Sequence, residues 1–272
     1  MAKKRWQALR RLISGSIVLL GCLLLTLNVQ ADDLDGIQRR GVVRIAVPLD
    51  YPPFGTIASD PTPLGYDIDT ARYLAQRLGV NVELVPVTSA NRVAYLVSGR
   101  VDMVISSLGK TPERARAIDF SIPYAPFFYG VFSSHDEPMW SSAQQLAGKT
   151  VGATRGSLEE VQLSAAAPKD AIIKRYEDNV TTLSAFTSGQ VDYIATGTPI
   201  AASLTQRGGA RLPHTVLLLK NSPCSVGFRK DAPALQKRIN ALIDAGLKDG
   251  TFEAMSRHWF GIGLPDDMRP AT

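Results

Sequence analysis

The segment Ser106-Ser107-Leu108-Gly109-Lys110-Thr111-Pro112-Glu113-Arg114 gathers hydroxyls, a glycine amide and an arginine within nine residues. Thr111 suits a helix N-cap and Pro112 the first helical position. Unpaired backbone N–H groups collect at such a start, and the helix dipole favours an anion there. Arg114 adds a planar fork that can hold a carboxylate through two hydrogen bonds. Ser107 and the Gly109 amide are further donors. The chemistry on offer is capture of a small carboxylate, although the same letters also suit an ordinary capped helix with a solvated arginine.

Two other segments carry groups of interest. In Tyr51-Pro52-Pro53-Phe54, Tyr51 can cover an apolar part of a ligand or stack on a cation, with Phe54 turned into the core. In Thr154-Arg155-Gly156-Ser157-Leu158-Glu159, Gly156 allows close backbone approach and Ser157 suits a helix cap. Glu159 then lies in a first helical turn, where it serves either as a partner of the dipole or as a site for a ligand ammonium.

The elements that must position these residues alternate between strand and helix periods, which predicts an α/β fold. Val42 to Val47 reads as a strand. Ile68, Ala71, Leu74, Ala75 and Leu78 mark one helix face, closed by Gly79. A strand over 80–87, a short helix over Arg92 to Val97 and a buried strand over Val101 to Ile105 follow. The second half repeats the plan, with strands at Thr150–Ala153, Ala171–Tyr176 and Val191–Ala195, and helices at Leu158–Ala166 and Thr181–Thr187. The repeat is visible in the letters: Ser98-Gly99-Arg100-Val101-Asp102-Met103-Val104-Ile105-Ser106 matches Ser188-Gly189-Gln190-Val191-Asp192-Tyr193-Ile194-Ala195-Thr196. Two such halves predict two lobes of similar topology. Ligands of open α/β sheets sit beyond the carboxyl ends of strands, so facing edges predict a cleft between lobes.

The N-terminus reads as an export signal over residues 1–31. Lys3, Lys4, Arg5, Arg10 and Arg11 precede an apolar run from Leu12 to Leu27, and Val29-Gln30-Ala31 suits cleavage. A membrane anchor is the rival reading, because the run is only slightly shorter than a roughly 20-residue span. All 25 acidic residues and 25 of the 30 basic ones follow residue 31, so the remaining chain is neutral, and the basic pI belongs largely to the signal and is no evidence for nucleic-acid binding. Cleavage leaves Cys224 as a lone, buried-type cysteine. Three scattered histidines, His135, His214 and His258, suggest no metal site, and no cofactor motif is present.

Gly65-Tyr66-Asp67-Ile68-Asp69, Thr111-Pro112-Glu113-Arg114, Ile118-Asp119-Phe120-Ser121, Pro123-Tyr124, Asp249-Gly250-Thr251 and Trp259-Phe260-Gly261 together resemble the bacterial extracellular solute-binding proteins of the polar amino-acid type, which serve ABC importers. The resemblance covers essentially all of residues 38–264. It implies a two-lobed periplasmic-binding-protein fold, each lobe an open mixed sheet with helices on both faces, joined by two hinge crossovers near Ala125–Gly130 and Thr215–Pro223. Lobe 1 is then formed by 32–128 and 221–272, and lobe 2 by 129–220. The implied partners are a small-molecule ligand and an ABC permease of the inner membrane, the implied state a monomer, and the implied location the periplasm.

Carried over by position, Arg114 matches the arginine that grips the ligand carboxylate, Ser107 and Gly109 match its neighbours, and Tyr51 matches a stacking aromatic. Ser157 and Glu159 complete the second-lobe edge. Gly197 stands where the family commonly has the acid that holds an α-ammonium, which leaves Glu159 or Asp50 to take that role. Relatives on the same fold also include periplasmic dehydratases of the cyclohexadienyl type, in which Glu159 would act as a general acid, and ligand sensors.

Overall fold

A computed structural model describes residues 33–219 and 221–269. The segment 1–31, expected to be an export signal, lies outside the described residues. In chain order the first half comprises α1 (Asp33–Arg40), β1 (Val42–Val47), β2 (Thr56–Ile57), β3 (Pro63–Leu64), α2 (Tyr66–Leu78), β4 (Asn81–Pro86), α3 (Arg92–Val97), β5 (Met103–Val104), α4 (Pro112–Ala117) and β6 (Asp119–Ala125). The rest comprises β7 (Tyr129–Ser133), β8 (Thr150–Thr154), α5 (Leu158–Ala166), β9 (Ile172–Tyr176), α6 (Asn179–Thr187), β10 (Tyr193–Gly197), α7 (Thr198–Arg207), β11 (His214–Leu218), β12 (Cys224–Phe228), α8 (Pro233–Lys248) and α9 (Thr251–Phe260).

These elements make two five-stranded sheets, ordered β4-β1-β5-β12-β6 and β11-β7-β10-β8-β9. In the first, β1 runs parallel to β4 and β5, while β12 is antiparallel to β5 and β6. In the second, β8 runs parallel to β9 and β10, while β7 is antiparallel to β10 and β11. The two sheets therefore have one plan, as the repeated letters predict. The fold is a two-lobed α/β architecture with mixed sheets. Helices cover both faces: α2, α8 and α9 pack a large core on β1 and β12, and Leu96, Leu108 and Ile118 fill the opposite face with Ala46 and Val104.

The chain crosses between sheets twice, from β6 to β7 through 126–128 and from β11 to β12 through 219–223. The crossovers run side by side, with the Leu219 amide bonded to the Tyr129 carbonyl at 3.0 Å and the Ser222 amide to the Phe127 carbonyl at 3.3 Å. Leu158 and Ile200 from the second sheet's side join the large first-sheet core, so the lobes are closed on one another.

The strand predicted over Val101–Ile105 narrows to β5 because the Asp102 carboxylate takes the place of a backbone acceptor. It receives the Arg44 amide at 2.8 Å and pairs with the Arg40 and Arg44 guanidinium groups at 2.6 and 2.9 Å. The strand predicted at Val191–Ala195 shifts to β10, so Gly197 closes the strand instead of following it. The helix predicted from Thr181 begins two residues earlier, since the Asp178 side chain caps it by accepting the Thr181 amide at 2.7 Å.

Candidate functional site

The loop after β5 is fixed from behind. Ser107 adopts φ +40°, a left-handed conformation that costs a non-glycine residue roughly 1 kcal/mol or more and needs support from its surroundings. The support is Asp67 in the first turn of α2. Its carboxylate accepts the Ser107 amide at 2.7 Å and the Tyr124 hydroxyl at 2.6 Å. The Tyr66 hydroxyl in turn donates to the Tyr124 carbonyl at 2.7 Å. Burial pushes Asp67 up to about 7, with the Tyr124 and Ser107 donors and the charge of Arg92 pulling the other way.

Arg92, the first residue of α3, reaches the same loop and donates from Nη1 to the Ser106 carbonyl. Arg92 is 2% exposed, and its Nε is buried without a partner among the described residues. Arg114 lies further along the loop. Thr111 caps α4 as expected, but its Oγ1 uses up the Arg114 amide at 3.1 Å. The helix is six residues long, so the free-amide argument for its start weakens and the guanidinium carries more of the chemistry. That guanidinium donates to the Gly109 carbonyl at 2.7 Å and to the Gly156 carbonyl of the facing lobe at 2.9 Å. Burial lowers Arg114 to about 9; the charge of Arg92 adds to the shift and Glu159 opposes it. Two guanidinium groups thus share one largely dehydrated space.

From the second lobe, Ser157 caps α5 by accepting the Glu160 amide at 3.1 Å, so its hydroxyl oxygen serves the helix. Glu159 beside it is 4% exposed and accepts the Tyr51 hydroxyl at 2.6 Å. The Tyr51 oxygen also accepts the Gly197 amide at 3.0 Å. Tyr51, 5% exposed, lies stacked against Phe54 with ring centroids 5.8 Å apart, and both rings are buried. Its hydroxyl therefore joins two second-lobe elements to the loop after β1. Burial, reinforced by Glu159, raises that hydroxyl well above the usual phenol range.

Both site glycines mark close approaches between lobes. A Cβ on Gly109 would lie 2.5 Å from Leu158 Cδ2, and one on Gly197 would lie 2.8 Å from Phe127 Cε2 and 2.9 Å from the Tyr51 hydroxyl. The place where an acidic side chain could project from position 197 is thus filled by Tyr51 and Phe127. Asp50 faces elsewhere along the interface. Its Oδ2 accepts the Asn179 backbone amide at 2.9 Å and the Asn179 side-chain amide at 3.1 Å, and burial raises its carboxyl.

The structure thus brings Tyr51, Gly109, Arg114, Glu159 and Gly197 to one interface, with Ser107 two residues before Gly109 in the same loop and Ser157 holding the helix that carries Glu159. Among the described residues no cluster of three or more His, Cys, Asp or Glu could hold a metal. Cys224 is fully buried in the core, and burial pushes its thiol up.

A family model for the bacterial extracellular solute-binding proteins, family 3, matches residues 43–262. The chain belongs to this family. It is 29% identical to the L-cystine-binding protein TcyJ of Escherichia coli over 85% of this chain and 87% of that protein. It is 31% identical to a cyclohexadienyl dehydratase of Pseudomonas aeruginosa over 90% of this chain and 94% of that enzyme. Among solved structures it is similar to an ancestral arginine-binding protein bound to arginine, with a TM-score of 0.76, 30% identity and coverage of 82% of this chain and 99% of that one. Its relatives thus include amino-acid-binding proteins and an enzyme.

Within this solute-binding protein, Arg92, Asp67 and Asn179 are residues of the candidate site that sequence reasoning misses. Arg92 leaves a faint signal. It stands four residues before Leu96, and both are buried, so a charge sits on the apolar stripe of a short helix. Asp67 is visible only as part of a family motif, because its partners Ser107 and Tyr124 are 40 and 57 residues away. Asn179 has no local signal at all.

Proposed function

We propose that this chain is the extracytoplasmic substrate-binding component of an ABC importer and captures a small carboxylate-bearing solute, an amino acid or a close relative, between its lobes. The observation that carries the reading is Arg114. Its half-buried guanidinium stands at the lobe interface, with one face on its own loop and the other on the Gly156 carbonyl. A ligand carboxylate would exchange with these carbonyls, aided by Ser107 and the Gly109 amide. Tyr51 would shape the apolar wall, and Glu159, carried by the Ser157-capped helix, would receive an ammonium. Gly197 would leave room for Tyr51.

In this reading residues 1–31 are an export signal and the protein acts as a monomer in the periplasm. Lobe 1 is 32–128 with 221–272 and lobe 2 is 129–220, bending at the two crossovers. An inner-membrane permease reads the closed form, and no reaction is catalysed. Closure requires contacts from both lobes, since a ligand shifts an equilibrium only through differential binding. Calorimetry against amino acids, amines and organic acids tests it. Arg114→Ala should weaken the best ligand by at least about 2 kcal/mol, roughly 30-fold. Unchanged affinity, or no carboxylate ligand at all, would sink the proposal.

The 31% likeness to the P. aeruginosa dehydratase favours one second reading, with Glu159 as the proton donor of an elimination. Turnover of prephenate or arogenate by the purified chain, removed by Glu159→Gln, would establish it. Absence of product at high enzyme concentration would remove it.

A further inference from the structure

We infer that Arg92 is a second anion anchor of the cleft, and that the solute selected there is an amino acid whose side chain carries its own acidic group, a carboxylate or a sulfonate. The inference rests on the solute-binding reading above and narrows its ligand class.

A buried arginine with a structural role is normally saturated by acceptors. Arg229 in this protein shows the pattern: its guanidinium donates to the Val101 and Leu96 carbonyls at 3.0 and 3.5 Å and pairs with Asp33. Arg92 departs from it. Arg92 is more deeply buried, makes no ion pair among the described residues, bonds the Ser106 carbonyl through Nη1, and leaves Nε buried without a partner there. Such a charge is costly unless an anion meets it.

The local charges do not supply that anion. Glu159 and Asp67 both act on Arg92 through space, but Glu159 is bonded to Tyr51 and Asp67 to Ser107 and Tyr124. Burial moreover brings Asp67 to about 7, so it neutralises Arg92 incompletely. Arg114 is close enough for the two guanidinium groups to repel. The interface therefore holds two cations against one carboxylate placed for ligand contact.

An α-amino acid with an acidic side chain completes this set. Its α-carboxylate meets Arg114, its ammonium meets Glu159, and its second acid meets Arg92. A neutral amide side chain leaves Arg92 without a counter-charge. A guanidinium or ammonium side chain would be placed beside a like charge.

The test compares isosteric pairs by calorimetry on the purified chain without residues 1–31: glutamate against glutamine, and aspartate against asparagine. At least one acid should bind about 100-fold more tightly than its amide. Arg92→Gln should reduce that preference to within a few-fold while Arg114→Ala weakens acid and amide alike. Equal affinity for acid and amide, or an intact preference in Arg92→Gln, overturns the role of Arg92 and leaves the Arg114 reading standing. No binding by any of the four, nor by a wider amino-acid panel, overturns both. If Arg92→Gln fails to fold, the isosteric pairs on the unsubstituted chain still decide.

Discussion

The two lobes share a sheet plan but not a style of building the edge that faces the cleft. The first lobe's edge is held by a buried network. Asp67 fixes Ser107 and Tyr124, Arg92 fixes the Ser106 carbonyl, and Ser107 is kept in a left-handed conformation. The second lobe's edge is made of helix caps, glycines and one acid: Ser157 on Glu160, Gly197 beneath Tyr51, and Glu159. The repeated motif shows the same divergence. Asp102 is buried between two arginines of its own lobe, whereas Asp192, the matching residue, is an exposed partner of Arg211 at 2.6 Å. In the solute-binding reading, one lobe is preorganised to receive charge. The other is shaped to fit against it, and preorganisation on one side lowers the ordering cost of capture.

The largest expected effect strikes the preorganised side. Asp67→Ala leaves the Ser107 amide and the Tyr124 hydroxyl buried without their acceptor, which should cost about 3 kcal/mol of stability and loosen the loop after β5. Thermal unfolding and calorimetry read both. Asp67 also has a pH signature. Its carboxyl is raised from 3.8 to about 7, so the folded state binds a proton more tightly than the unfolded state between these values. Its contribution to stability is fully present below about pH 4 and is lost as pH rises through about 7. Asp67→Asn should flatten that part of the stability–pH curve. An unchanged slope in Asp67→Asn would show that the first-lobe network does not titrate as described.

How much of this is legible in the letters follows from the range of each interaction. Strand, helix and cap signals are local, so the α/β repeat, the Thr111 and Ser157 caps and the Gly79 helix end can be read directly. Arg114 and Glu159 are legible because each follows a cap at the end of a predicted strand. Arg92, Asp67 and Asn179 depend on partners brought in from other elements, and a local pattern does not encode those. Gly197 is the instructive intermediate. The resemblance leads one to expect an acid there, whereas the tyrosine of the other lobe that fills the space beside Gly197 is visible only in the folded structure.

Gly197→Ala tests the fitted side. The new methyl would meet Phe127 and the Tyr51 hydroxyl in the closed form, and overpacking of this kind costs about 1–3 kcal/mol. The two atoms in its way belong to side chains at the interface, so the cost falls on closure more than on folding. Ligand affinity should drop about 10-fold with little change in the melting temperature of the ligand-free protein. A fall in melting temperature as large as that of Asp67→Ala would mean that the second-lobe edge is as integral to the fold as the first, and the contrast between the lobes would fail.

The smallest effect is expected where the lobes meet away from both arginines. Asp50 on the first-lobe side takes two hydrogen bonds from Asn179 at the start of α6, so it acts as a latch on the closed form. The latch is imperfect, since its Oδ1 is buried with no partner among the described residues. Asp50→Ala therefore loses two charge-assisted bonds but also relieves the burial of a poorly satisfied carboxylate, and these effects oppose each other. A net loss of at most about 1 kcal/mol, some 5-fold in ligand affinity, is expected. Small-angle scattering of the ligand-free protein should show a modest shift toward open forms. Burial raises Asp50 in this structure, so if opening returns the carboxyl to water, closure takes up protons there and is favoured slightly more as pH falls. Removing Asp50 should abolish that small pH dependence of closure and leave the pH dependence of folding stability, due to Asp67, in place.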